Sequence, residues 1–184
     1  MREENERLHG RLAVLEERLG KMEKDISKAQ LLQHQGLVDE RYFSRRLREA
    51  VLSAERYARF LCLVLVGVPE RDRDMSRENV ALETAARLRE ALRKTDLVAL
   101  YETGDVYVLL EEAEVSQGLQ ALKRVQEEIG DVATPLYSMA CYPSDAHKED
   151  VLLDLLTERL AKLQNSHRPG PVVNFGESTL ELSN

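Results

Sequence analysis

Residues 99–110 read ALYETGDVYVLL. Apolar and aromatic residues crowd both sides of Glu102, Thr103 and Gly104, the pattern of strand, tight turn, strand. Strands are expected at 96–101 and 105–111, with Val106, Val108 and Leu110 directed to the core. A hairpin with an acidic residue at its tip is a common place for a functional group.

The rest of the fold is read outward from this hairpin. Upstream, FLCLVLVGV (60–68) is an unbroken apolar run closed by Pro69, as in a strand buried on both faces. A polar loop, ERDRD (70–74), leads to a helix opened by Ser76 and ending near Lys94. Downstream, a helix over 115–129 carries Leu119, Leu122, Val125 and Ile129, and a strand over 134–142 is closed by Pro143, Ser144 and Asp145. Two outer helices are expected, from Asp39 to about Arg59 and over about 147–164. Val172 to Phe175 reads as a short edge strand. Without the outer helices the order is β-α-β-β-α-β, the split βαβ arrangement, with helices on one face of an antiparallel sheet. Right-handed crossovers place the first and third strands together at its centre. Residues 67 to 69 then come close to the hairpin tip. The expected class is α+β, with a ferredoxin-like βαββαβ core, extra helices and a preceding coiled-coil helix.

Composition narrows the function. The 184 residues carry a formal charge of -7, and no basic stripe suits a nucleic-acid backbone. No run of apolar residues is long enough for a membrane span. The N-terminus, MREENERLHGRL, is too charged for a signal peptide. Cys62 and Cys141 both sit in apolar runs and read as two reduced core thiols of a cytoplasmic protein. His9, His34, His147 and His167 are scattered singly, without zinc-ligand spacing. The sequence contains no phosphate-binding glycine motif of the Walker A or G-x-G-x-x-G kind.

Residues 1–33 form a separate segment. Leu8, Leu12, Leu15, Leu19, Met22, Ile26 and Ala29 recur in alternating steps of four and three, the repeat of a coiled coil. With Leu12, Leu19 and Ile26 at a, Arg11 and Arg18 fall at g, and Glu16 and Glu23 at the following e. In a parallel homodimer each arginine meets a glutamate of the partner. The alternative is an amphipathic helix folded back on its own domain. Residues 34–176 form the globular domain, and 177–184 a flexible tail.

Three pieces of the chain resemble the GGDEF domain of diguanylate cyclases. GLVDERYF (36–43) is similar to the family's opening GL-x-N-R-R-x-F, with Gly36, Leu37, Arg41 and Phe43 matching and Asp39 in place of Asn. RKTDLVALYETGDVYVLL (93–110) resembles R-x-x-D-x-V-x-R-Y-G-G-D-E-F-x-V-L-L, and 139–164 resembles the strand, Y-P-x-D turn and last helix. The resemblance covers about residues 30 to 176. It implies a nucleotidyl-cyclase-like palm and, in active members, GTP held between two subunits with a divalent metal. Without a gap, Glu102, Thr103, Gly104, Asp105 and Val106 stand at G-G-D-E-F. Only Asp105 keeps an acid where the family has one. Gly67, Val68 and Pro69 stand at the family's D-x-D, and the F-K-x-I-N-D that follows is absent. Sliding the hairpin by one residue improves the letters but turns the second strand's side chains over unless a bulge absorbs the shift. Either alignment lacks the metal-holding carboxylates.

The resemblance also implies that Arg93-x-x-Asp96 is the remnant of the family's inhibitory site for cyclic di-GMP. An arginine fork suits a guanine edge or phosphate, and a carboxylate accepts from guanine N–H groups. The competing reading is a helix end and a turn. Arg124 is a candidate second arginine. The expected function is a catalytically inactive signalling module that works by dimerisation and protein contacts, with cyclic di-GMP as candidate ligand and neither metal nor other cofactor. The alternatives are a divergent active cyclase and a purely structural adaptor.

Overall fold

A computed structural model describes residues 2–68, 76–129, 135–166 and 171–182. The chain divides into two compact units, Met1–Gln35 and Gly36–Asn184. The first is a single helix, α1 (Arg2–His34). Along it Leu12, Leu15, Leu19, Met22 and Ile26 are each more than half exposed.

The second unit runs α2 (Glu40–Tyr57), β1 (Leu61–Gly67), α3 (Arg77–Ala91), β2 (Leu97–Leu100), β3 (Val106–Glu111), α4 (Val115–Ile129), β4 (Leu136–Tyr142), α5 (Glu149–Asn165), β5 (Val172–Phe175) and β6 (Ser178–Glu181). One six-stranded sheet has the order β2-β3-β1-β4-β5-β6. β1 lies between β3 and β4 and is antiparallel to both, so the expected centre and the βαββαβ core are present. All seven residues of β1 are buried, as the run FLCLVLVGV requires.

The sheet is covered on both faces. Leu61, Leu63, Leu65, Leu109, Ala140 and Tyr142 pack with Phe43, Leu47 and Val51 of α2 and with Leu152, Leu156 and Leu160 of α5. The alternate residues of β1 turn the other way, where a Cβ on Gly118 of α4 would lie 3.3 Å from Cys62 Sγ and 2.7 Å from Met139 Sδ. The expectation of helices on one face therefore holds only for the crossover helices α3 and α4. The outer helices α2 and α5 are amphipathic and need an apolar surface of their own, which is the opposite face.

Three other expectations are corrected. Val172–Phe175 is not the edge strand, because β5 pairs in parallel with β4 and antiparallel with β6. β6 occupies Ser178–Glu181, inside the segment expected to be a flexible tail. Cys62 and Cys141 are not separate thiols: they stand opposite each other across β1 and β4, with Cα atoms 4.1 Å apart, and form a disulfide. The 79-residue separation hides this contact in the sequence, and only the strand register creates it.

The segment GLVDERYF has a clear physical role. Gly36 takes a φ of 67°, and Leu37 is buried. Val38 N–H donates to the Val98 carbonyl, and Leu100 N–H donates to the Val38 carbonyl, which extends the sheet past β2. Asp39 then caps α2, its carboxylate accepting from Tyr42 N–H at 2.7 Å. At the far end, Asp145 accepts from Cys141 N–H at 2.8 Å and from Arg159 at 2.5 Å, and Arg159 also donates to the Met139 carbonyl. This nearly buried ion pair fixes the turn between β4 and α5.

Candidate functional site

Two turns flank β2. The hairpin tip, 101–105, is closed by Tyr101 N–H donating to the Asp105 carbonyl and Gly104 N–H donating to the Tyr101 carbonyl. Gly104 has a φ of 82°, a conformation that favours glycine. β3 starts at Val106, paired with Leu100 and with Val66 at the end of β1. The hairpin tip thus meets the end of β1, as the topology predicts. Val106, Val108 and Leu110 are buried as expected.

The chemistry at this tip is sparse. Asp105 accepts from the Thr103 hydroxyl at 2.7 Å and faces Arg77 at 3.5 Å, so both its oxygens are engaged. Glu102 is exposed. At the end of β1, a Cβ on Gly67 would lie 2.7 Å from Cδ1 of Leu160 on α5. A side chain at this position requires the end of Leu160 to shift. Among the described residues no group of three or more His, Cys, Asp or Glu is arranged to hold a metal ion. Pro69 and ERDRD lie outside the described residues.

The aromatic residues beside the tip are packing residues. Tyr101 and Tyr107 lie 4.5 Å apart between ring centres, and each also meets Phe43. Burial pushes the Tyr107 hydroxyl up to about 12, with the nearby Asp105 charge adding to the shift.

The turn from α3 to β2 is charged and ordered. Asp96 is only 4% exposed, and its carboxylate accepts from Arg93 N–H at 3.0 Å. Asp96 N–H donates back to the Arg93 carbonyl at 3.1 Å. Arg89 donates to the carbonyls of Asp96, Leu92 and Arg93, closing the last turn of α3. Burial pushes the Asp96 carboxyl above its ordinary value, and the Arg93 N–H and the charges of Arg93, Arg89 and Arg124 oppose that shift. The guanidinium of Arg124, on α4, therefore acts on the same carboxylate. Arg93 and Arg124 are both exposed.

The structure thus brings Arg89, Arg93 and Asp96 together, with the charge of Arg124 within electrostatic reach, and leaves Glu102, Thr103, Gly104 and Asp105 at a separate tip. Sequence reasoning missed Arg89 and Arg77. Arg89 stands one helical turn before Arg93, a spacing that marks a basic residue at a helix C-terminus. Arg77 follows the cap Ser76 and carried no comparable signal.

No protein-family model and no curated protein matches this sequence. Solved structures do match. The GGDEF domain of YfiN (TpbB) from Pseudomonas aeruginosa is similar with a TM-score of 0.66 at 18% identity, over 78% of this chain and 99% of that one. The GGDEF domain of FimX from the same organism gives 0.65 at 16% identity, over 76% and 94%. The coiled coil and GGDEF domain of DgcB from Caulobacter crescentus, solved with cyclic di-GMP, gives 0.55 at 12% identity, over 88% of this chain and 96% of that one. At these identities the likeness is one of fold: the chain has the architecture of GGDEF domains.

Proposed function

We propose that this chain is a non-catalytic GGDEF-like signalling module. It dimerises through α1, acts by protein contacts, and takes cyclic di-GMP at the turn between α3 and β2. The observation that carries the non-catalytic reading is Gly67 at the end of β1, a residue without a side chain where the resembled family has a metal-holding carboxylate, with Cδ1 of Leu160 packed over it. Among the described residues near the tip, Asp105 is held by Thr103 and Arg77 and Gly67 carries no carboxylate, which leaves little charge to organise a metal-bound triphosphate. Incubation with GTP and magnesium is expected to yield no cyclic di-GMP by mass-resolved chromatography. Accumulation of product with time overturns the reading.

The ligand half rests on the cluster around Asp96. In this reading Asp96 holds the turn, and the exposed arginines 93 and 124 meet phosphate or guanine. The dimer half rests on the exposed seam of α1 and on its charge pattern. Sedimentation equilibrium is expected to show a weak dimer that Leu15→Asp with Leu19→Asp converts to monomer. A monomeric wild-type chain at high concentration removes the dimer.

A further inference from the structure

We propose that the Cys62–Cys141 disulfide is a reversible redox link whose state sets how tightly α4 closes on the sheet. Three observations support it. The two cysteines lie opposite each other within seven consecutive residue pairs that join β1 to β4. Residue pairs on both sides of the link, Leu61 with Tyr142 and Leu63 through Gly67 with their partners, also join the two strands. Both residues are essentially fully buried. Above Cys62 α4 presents Gly118, where an added Cβ would lie 3.3 Å from Cys62 Sγ and 2.7 Å from Met139 Sδ, so the helix packs there closer than any side chain allows. Breaking the bond moves the two sulfurs from covalent distance to non-bonded contact and adds two thiol hydrogens. A close-packed interior has no spare volume for that, so α4 must yield. α4 also carries Arg124, so its displacement changes the field at Asp96.

The redox chemistry uses an external dithiol. One of its thiolates attacks a cysteine sulfur, the Cys62–Cys141 bond breaks, and a mixed disulfide forms. The second thiolate releases that sulfur, and the dithiol leaves as its own disulfide. Two electrons and two protons end on the protein thiols. Because the sulfurs are buried, attack requires α4 to lift first.

The test uses the full chain purified without reductant and equilibrated against mixtures of reduced and oxidised dithiothreitol. Samples are acid-quenched, alkylated under denaturing conditions and weighed. Two labels are expected to appear together on reduction, with both forms folded by circular dichroism. Amide exchange across 115–129 is expected to be about tenfold faster in the reduced form. Cys62→Ser with Cys141→Ser should show the fast exchange at every redox setting, and Cys141→Ala alone supplies the same readout if the serine pair does not fold. Free thiols in the unreduced protein, a bond that yields only on global unfolding, or equal exchange in α4 in both states overturns the proposal.

Discussion

The two turns that bracket β2 lie one short strand apart, yet they retain different things. The hairpin tip keeps a backbone shape: a glycine in the left-handed region, two closing N–H bonds, an exposed Glu102 and an Asp105 already tied down. The turn before β2 keeps charge: a buried carboxylate within the fields of three arginines. A backbone turn is preserved by packing alone, because its strands fill the core whatever the tip does. A buried carboxylate is costly unless its partners are present. The contrast separates what a fold requires from what a ligand site requires.

The largest expected effect comes from forcing chemistry back into the hairpin region. Gly67→Asp places a side chain against Leu160 and a charge in the core, so stability should fall by about 3 kcal/mol or more in denaturant unfolding. Wild-type stability in this variant would show that Leu160 yields and that the site is only dormant. Next comes the other turn. Arg89→Ala removes the donor for three carbonyls at the end of α3, and a loss of about 2 kcal/mol is expected. Arg89→Lys should recover only part of it, since one ammonium cannot match the fork.

The smallest effect concerns Asp96. Burial raises its folded pKa above the ordinary value of 3.8. The neutral form is thus favoured by folding, and its contribution is fully present below the ordinary carboxylate range and lost as pH rises through the raised pKa. Asp96→Asn mimics the neutral form. Its melting temperature should match wild type in acid and exceed it slightly at neutral pH. An advantage that shrinks with rising pH would mean that the arginines outweigh burial.

Much of this contrast was legible in the sequence. The strand order followed from apolar runs and turn residues, because FLCLVLVGV and the hairpin leave few other arrangements. The emptied tip was legible too, since the absence of acids at Gly67 and Gly104 needs no coordinates. Long-range geometry was not. Nothing local says that Cys62 faces Cys141, that α2 and α5 share the face opposite α3 and α4, or that Ser178–Glu181 adds a strand. Each depends on register or on which face a helix finds. The influence of the Arg124 charge on Asp96 depended on the packing of α4 in the same way.

The most direct test is a calorimetric titration of cyclic di-GMP into wild type, Arg93→Ala and Asp105→Ala. Binding to wild type and to Asp105→Ala alike is expected, and its loss in Arg93→Ala. No binding to wild type, or binding lost through Asp105 and kept without Arg93, would contradict it.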